Sequence, residues 1–195
     1  NNGECLIFNR TYAIDANFMF TITQQVQNTT KSPQTLHTYG LVSRRGTPET
    51  TGFYILHEGL LGVFNDTLTE VDYDDLQESG QVKQTSTGGW IGFTDKYWLT
   101  ALVPDQKTAI NSRFLHSKQN GASNYQVDYV GPALTIAAGA STQAVNHLFV
   151  GAKEVRLLDG YEEGLGVARF DLAIDFGWFY FLTKPIFYAL LWLNN

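Results

Sequence analysis

The sequence predicts a mainly β protein, an antiparallel β-sandwich that ends in a short C-terminal helical segment. The composition favours strands, because 13 Phe, 10 Tyr and 18 Gly stand against a single Met. Apolar and polar residues alternate in short segments separated by turn-forming residues, which is typical of antiparallel sheets. Before residue 150 there is no long stretch with the 3.6-residue period of an amphipathic helix.

The length and charge of the chain limit its function classes. A chain of 195 residues suits one domain with a sizeable core. The net charge of −6 and the pI near 5.1 argue against nucleic acid as a partner, and the longest basic cluster is the pair Arg44 and Arg45. The single cysteine, Cys5, excludes an intramolecular disulfide and a cysteine-based zinc site.

The clearest strand is predicted at residues 18–26. Phe18 and Ile22 fall on one side of this segment, whereas threonines and glutamines fall on the other, so we expect one face to be buried. Turn-forming residues at 28–33 end the strand, and the next strand is predicted to return over residues 36–43.

Further strands are predicted at short intervals along the chain. They cover residues 60–64, 68–73, 82–87, 90–94, 97–103, 109–116, 125–130, 134–137 and 143–150. Turn formers separate them, and this spacing favours sheets stacked as a sandwich over a parallel α/β fold. A last extended segment is predicted at residues 170–177, where apolar residues alternate with Asp171, Ala173 and Asp175.

The C-terminal residues 176–193 are strongly apolar, since these eighteen residues include eight aromatic side chains and Lys184 is their single charge. Proline is tolerated in the first turn of a helix and damaging in its interior. Pro185 therefore predicts a helix that begins near Thr183 or Lys184, with Thr183 as its cap. The remaining turns are apolar on all sides, and such a helix must be buried in protein or in lipid.

Two interpretations of this apolar segment are open. It closes the core of the sandwich, or it lies on a membrane, where Trp and Tyr concentrate at the lipid–water interface. Eighteen residues are at the lower limit for a span. We favour an interfacial helix that leads into a span. The residues expected to couple the domain to the membrane are Phe176, Trp178, Phe179, Phe181, Lys184, Pro185, Phe187 and Trp192.

The sequence contains no recognisable motif of an active site, a cofactor site or a metal site. The four histidines are scattered singly, without the spacing of metal ligands. The glycine-rich segment 88–92 lacks the Lys-Ser/Thr pair of a phosphate-binding loop. Asp171 and Asp175 would lie about 13 Å apart on an extended segment, too far for a glycosidase pair. We therefore assign no catalytic, cofactor-binding or metal-binding residue.

The C-terminal segments resemble a known family. Residues 170–178, 183–187 and 190–193 are similar to the end of the large periplasmic domain of YidC membrane protein insertases. In that family an aspartate-aromatic-Gly-Trp stretch leads, through a step that contains proline, into an interfacial helix before the second transmembrane helix.

The rest of the chain resembles the same family in the same order. Residues 88–93 are similar to its Gly-Gly-Trp strand, residues 149–153 to its aromatic-Val-Gly-Pro-Lys step, and residues 15–28 to its strand that ends in a Val-x-Asn turn. Ala152 stands where the family usually has proline. The resemblance covers essentially the whole chain, and it implies that the chain begins partway into the domain of the family.

The resemblance implies a fold, a location and a role. The fold is an antiparallel β-supersandwich similar to galactose mutarotase, on the periplasmic side of the bacterial inner membrane, in a full-length protein with several spans. Residues 1–176 would form an N-terminally truncated sandwich, and residues 177–195 the aromatic segment and the start of an interfacial amphipathic helix leading to a transmembrane helix. The role is that of a non-enzymatic scaffold in membrane protein insertion and chaperoning. Its partners would be Sec translocon accessory subunits, nascent membrane proteins and the membrane surface, with no cofactor.

A second function is open at this point, namely a carbohydrate-binding or mutarotase-like epimerase domain. Sugar enzymes of that fold carry a catalytic His and Glu, although the fold alone does not confer the function. The alternative predicts that His57 or His116 converges with Glu58 or Glu154 in one cleft. A purely structural periplasmic scaffold is a third possibility.

Overall fold

The computed structural model describes residues 5–50, 56–175 and 180–193. Within these ranges the chain forms eleven strands, three α-helices and one 3-10 helix. The strands are β1 (Leu6–Ile14), β2 (Met19–Asn28), β3 (Gln34–Arg45), β4 (Gly59–Phe64), β5 (Thr67–Val71), β6 (Gln81–Thr87), β7 (Trp90–Thr94), β8 (Trp98–Val103), β9 (Ala109–Gln119), β10 (Ala122–Ile136) and β11 (Ser141–Ala152). The helices are α1 (Tyr73–Ser79), α2 (Val155–Leu165), the 3-10 helix Phe170–Ala173 and α3 (Tyr180–Leu193).

The strands form two antiparallel sheets. The large sheet has seven strands in the order β1-β2-β11-β8-β7-β4-β5, and the small sheet has four strands in the order β3-β10-β9-β6. Neighbouring strands pair antiparallel throughout both sheets. The prediction of a mainly β, antiparallel sandwich is confirmed.

One hydrophobic core lies between the two sheets. Its members come from alternate positions of facing strands, because successive side chains of a strand point to opposite faces. Leu60 of β4 and Ile91 of β7 contribute from the large sheet, and Phe114 of β9 and Val127 of β10 contribute from the small sheet. All four side chains are buried.

A second core lies on the other face of the large sheet, beneath α2 and the 3-10 helix. Trp90 and Phe149 of the sheet pack edge-on against Phe170 of the 3-10 helix, with ring centroids 5.5 and 5.7 Å apart. The Trp90 indole N–H also donates a hydrogen bond to the Ala168 carbonyl at 3.2 Å. The large sheet is therefore covered on both faces as far as β4, and every residue of this strand is buried.

The strand predictions were largely right, and the exceptions have local causes. The strands predicted at 125–130 and 134–137 are one strand, β10, interrupted by an irregularity between Val130 and Ala133. Strand β1 was not predicted from the sequence. Nor were α1 and α2, although α2 buries Val155, Leu158 and Tyr161 with the spacing of a helix.

The C-terminal predictions need two corrections. The extended segment predicted at 170–177 is wrong for its first half, because Phe170–Ala173 form a 3-10 helix that places Phe170 in the core. Helix α3 begins at Tyr180 and not at residue 183 or 184, so Pro185 lies inside the helix. Proline has no N–H to donate to the carbonyl of residue 181, and the helix continues past this missing bond. The expected boundary between residues 176 and 177 lies outside the described residues.

In the part of the chain that the structure describes, no helix combines the length and the apolar character that crossing a bilayer requires.

Candidate functional site

The chain leaves the sandwich at one end of the large sheet, where three connections lie side by side. The Val150 N–H of β11 donates to the Phe18 carbonyl at 3.3 Å, and the Lys153 N–H donates to the Tyr97 carbonyl at 2.9 Å. Trp98, the first residue of β8, pairs with Ala152. We call the edge formed by Phe18, residues 95–98 and residues 152–153 the exit end.

Asp15 shapes the connection between β1 and β2 at this end. Its Oδ1 accepts hydrogen bonds from the backbone N–H groups of Asn17 and Met19 at 2.8 and 3.0 Å. Its Oδ2 accepts a hydrogen bond from the Tyr161 hydroxyl of α2 at 2.7 Å. Burial acts to raise the pKa of Asp15, but the hydrogen bonds from Tyr161, Met19 and Asn17 outweigh it and hold that pKa below its ordinary value. The connection is thus tied to the helix layer.

Lys153 interacts with the large sheet through Thr94 and with the charge of Asp175, the last described residue before α3. Its Nζ donates a hydrogen bond to the Thr94 hydroxyl at 2.8 Å. Burial lowers the pKa of Lys153, although the negative charges of Asp175, Asp95, Glu58 and Glu70 act to raise it. Asp175 is the last described residue before α3, so its charge links the departing chain to the exit end.

Helix α3 carries several exposed apolar side chains. Trp192 is 76% exposed, and Ile186, Leu190 and Leu193 are exposed as well. A helix of this composition leaves apolar surface in water unless something covers it.

The residues expected to couple the domain to the membrane are described to different extents. Phe176, Trp178 and Phe179 lie outside the described residues. Phe181, Lys184 and Phe187 belong to the backbone of α3, but their side chains lie outside the description, whereas those of Pro185 and Trp192 are exposed.

The sandwich also contains an interior cleft, whose lining residues were not predicted from the sequence. Two adjoining cavities of about 160 and 310 Å³ lie where β1, β2 and β11 of the large sheet face β3 and β10 of the small sheet. Both cavities are lined by Thr38, Leu134, Gln143 and Ala144. Asn146 lines the larger one, and its Nδ2 is buried without a hydrogen-bond partner in the described structure. In the sequence, the indication of this cleft is a polar residue, Asn146, on the inward face of a strand.

The two histidines of the epimerase alternative are held by contacts within the chain. The His57 ring contacts the Leu60 carbonyl through Nε2 at 2.9 Å and the Asp72 carboxylate through Nδ1 at 3.3 Å. His116 Nε2 lies 3.1 Å from the Ser123 hydroxyl, and its ring packs on Tyr125.

The two glutamates of that alternative have other surroundings. Glu58 accepts a hydrogen bond from the Lys96 N–H at 3.1 Å, and Glu154 is exposed at the start of α2. None of the four predicted residues lines either of the two cavities described above. The structure does not bring a His and a Glu together in the cleft.

One group of carboxylates has the spacing of a metal site. Ligand oxygens of Asp159, Glu162 and Asp171 lie within 4.8 Å of one another. The Arg169 guanidinium, at 3.5 Å from Asp171, already supplies a positive charge there. Because acidic clusters are common without an ion, we assign no metal to these residues.

Comparison with known proteins connects the chain to one family. Residues 1–189 match the family model described as the YidC periplasmic domain. The chain is 48% identical to the membrane protein insertase YidC of Beijerinckia indica subsp. indica, over 97% of this chain and 32% of that protein. It is 46% identical to the YidC of Granulibacter bethesdensis, over 100% of this chain and 35% of that protein. The chain thus spans about a third of the length of these relatives.

Similarity to solved structures is distant. A proposed aldose 1-epimerase from Klebsiella pneumoniae subsp. pneumoniae is 12% identical, with a TM-score of 0.39 over 84% of this chain and 54% of that one. A protein from Parabacteroides distasonis that contains a TPR domain is also 12% identical, with a TM-score of 0.42 over 75% of this chain and 30% of that one. Overlap at this level carries no argument about function.

Proposed function

This chain belongs to the family of YidC periplasmic domains, and on that premise we propose that it is a non-enzymatic scaffold that holds a membrane protein insertase against its membrane and its partners. The full-length protein would span the inner membrane several times, with this domain on the periplasmic side. The sandwich is the rigid body of this arrangement, and the segment from residue 176 onward couples it to the bilayer.

The exposed apolar surface of α3 is the observation that carries the proposal. The exposed side chains of Ile186, Leu190, Trp192 and Leu193 would be covered by the acyl chains near the membrane surface. Fully covering such a side chain contributes roughly 1.5 to 3 kcal/mol each. Residues 177–195 thereby act as an aromatic segment followed by an interfacial helix.

The length of α3 supports a position on the surface. Its 14 residues extend for roughly 21 Å at ~1.5 Å per residue, whereas the hydrocarbon core of a bilayer is about 30 Å thick. Lys184 on the same helix would reach the headgroups with its ammonium group. The helix would then lead into a span that follows it.

The experiment for this proposal compares lipid binding of the intact chain and of a variant. Ile186→Ser, Leu190→Ser and Trp192→Ser together remove exposed apolar side chains without touching the sandwich. We expect the partition coefficient on phosphatidylcholine–phosphatidylglycerol vesicles to fall at least about 100-fold, because each of the three lost side chains removes about 1 kcal/mol or more of transfer free energy.

The control is Leu41→Ser, which removes an exposed apolar side chain from the small sheet, where it is 47% exposed. This control should sediment with vesicles as the parent does. Equal co-sedimentation of the α3 variant and the parent would contradict the proposal.

We further propose nascent membrane proteins and Sec translocon accessory subunits as the partners of the full-length protein. The name of the relatives, membrane protein insertase YidC, supports nascent membrane proteins as partners. The accessory subunits are what the family resemblance of the sequence implies. A pull-down from a detergent extract of inner membranes, with the full-length protein as bait, is expected to retain accessory subunits. A bait that lacks the sandwich should retain less, and equal retention would count against a contact through this domain.

The epimerase alternative is not favoured. The His and Glu residues on which it depends are held by contacts elsewhere in the chain and do not line the cleft. This arrangement supports a non-enzymatic role.

A further inference from the structure

The exit end carries three large aromatic side chains that the sandwich does not cover. Tyr97 is 65% exposed, Trp98 is 60% exposed and Phe18 is 54% exposed. Phe18 and Tyr97 lie on connections just before β2 and β8, and Trp98 is the first residue of β8. Exposed aromatic side chains grouped at one place usually mark a contact surface.

Hydrogen bonds hold these three residues close to one another. Phe18 accepts a backbone bond from β11 and Tyr97 accepts another from the end of the same strand, while Trp98 pairs directly with Ala152 of β11. Phe18 and Trp98 therefore flank β11 on opposite sides, offset by two residues along it. At a strand spacing of about 4.8 Å and a rise of about 3.3 Å per residue, their backbones are roughly 12 Å apart. The three residues therefore lie on neighbouring strands or connections at the same end of the large sheet.

The chemistry of these three side chains suits a lipid–water interface. Tyr and Trp rings prefer this interface because one end of the ring is apolar and the other is wet. The Lys96 ammonium lies 5.2 Å from the centre of the Tyr97 ring, so a cation that can reach headgroups stands beside one of these rings.

These residues also lie where the chain leaves toward α3. Asp175, the last described residue before α3, acts through its charge on Lys153, and the Lys153 backbone bonds Tyr97. Asp175 and the three aromatic residues thus lie at the same end of the sheet.

We propose that Phe18, Tyr97 and Trp98 form a second membrane contact, in which the exit end of the sandwich dips into the headgroup and upper acyl region of the bilayer. This inference rests on the proposed function, in which α3 lies on the same surface. Two separated contacts would fix the orientation of the sandwich relative to the bilayer.

The charges at the exit end indicate that the aromatic rings carry this contact. Asp95 forms an ion pair with Arg44, and the Lys153 ammonium is surrounded by carboxylates. No excess of positive charge therefore results from these described groups. Insertion should therefore be no stronger in anionic than in neutral vesicles, and added salt should not weaken it.

Fluorescence of Trp98 provides a direct test. The chain has four tryptophans, of which Trp90 is fully buried in the core. Replacing Trp178 and Trp192 by Phe leaves Trp98 as the single tryptophan within reach of lipid. The full chain, with a C-terminal hexahistidine tag, is bound to vesicles of phosphatidylcholine and a nickel-chelating lipid, so that attachment does not depend on the affinity of α3.

Brominated phosphatidylcholine, with bromine at carbons 6 and 7, should lower the emission of this variant about 1.5-fold, because one of its two tryptophans is then near the quencher. Adding Trp98→Phe should abolish the quenching. Unchanged emission of the tethered variant in brominated vesicles would overturn the proposal. A blue shift of Trp98 emission with protein concentration in the absence of lipid would also overturn it, in favour of a second copy of the chain.

The two proposals fail separately in these experiments. Absence of Trp98 quenching, together with weaker co-sedimentation of the α3 variant than of the parent, would reject the second contact and leave the α3 contact standing. Quenching that persists in the tethered variant, together with equal sedimentation of the α3 variant and the parent, would support the second contact and reject the role of α3.

Discussion

Arg44 and Asp95 form a bidentate ion pair that ties the two sheets together, with nitrogen–oxygen distances of 2.6 and 2.7 Å. Arg44 belongs to β3 of the small sheet, whereas Asp95 lies in the turn between β7 and β8 of the large sheet. The guanidinium also donates to the Tyr73 hydroxyl at 2.8 Å and lies over the Phe93 ring. The hydrogen bonds that Arg44 donates to Asp95 raise the pKa of Arg44 above its usual value, although burial acts to lower it.

Removing this pair should loosen the contact between the sheets at the exit end. Arg44→Met is expected to lower the free energy of unfolding by about 1 to 2 kcal/mol, since both side chains are partly exposed to solvent and the lost charge is partly replaced by water. Urea titration followed by circular dichroism measures the change. Arg44→Lys keeps the charge but loses the two-pronged geometry, so an intermediate loss is expected. Identical stability of all three proteins would contradict this account.

Phe170 should contribute strongly to the packing of α2 and the 3-10 helix on the large sheet. Phe170→Ala removes the ring that contacts Trp90 and Phe149, and we expect a loss of about 3 to 5 kcal/mol in the free energy of unfolding. Leu165→Ala, at an exposed position of α2, is the matched control and should cost little. Hydrogen exchange should show the amides of α2 opening first in the Phe170 variant. A loss below about 1 kcal/mol would mean that the ring is not essential there.

Asn146 and Asn28 allow a test of buried amides. Asn146→Leu replaces an amide whose Nδ2 has no partner in the described structure, so the change should be neutral or stabilising by up to about 1 kcal/mol. Asn28 is also buried, but its Nδ2 donates to the carbonyls of Ser32, Ile136 and Ala137 at 2.9, 3.0 and 3.1 Å. Asn28→Leu should therefore destabilise the domain by about 2 kcal/mol or more. If Asn146→Leu lowered the melting temperature more than Asn28→Leu does, this account of the two amides would be wrong.

His147 should make stability depend on pH. Burial lowers the pKa of this half-buried histidine below its usual 6.5, so the unfolded chain binds the proton more readily than the folded one. Stability is then complete above pH 6.5 and is lost as the pH falls from there through the folded pKa. His147→Gln should abolish this part of the dependence, and the difference between the two proteins across that window is the quantity to measure. Parallel stability curves would show that burial of the ring has no such effect.

The sequence predicted the strands well because alternation is a local signal. Residues 18–26 and 36–43 show it clearly, and the structure has β2 and β3 there. The helix at Phe170–Ala173 was missed because its apolar residues also fit an alternating pattern, and only the packing of Phe170 against distant strands decides between the two. The predicted start of α3 was wrong because Pro185 lies inside this helix, where proline is usually unfavourable, and does not mark its first turn.

The candidate site was predictable only in part. The apolar character of residues 176–193 is visible in the sequence. The exit end is not, since Phe18, Tyr97 and Lys153 are far apart along the chain and meet only through the pairing of β2, β11 and β8. The cleft likewise depends on which strands face each other across the sandwich.

Because the large sheet is covered on both faces, it forms the middle layer of the domain and its centre is protected from solvent. The amides of β4 are shielded by the small sheet on one side and by the 3-10 helix and α2 on the other. They should exchange with deuterium last, at rates that report global unfolding, whereas edge strands such as β1 exchange through small local openings. A pulling force applied where the chain leaves the domain would therefore act on the rigid large sheet before it could separate the two sheets.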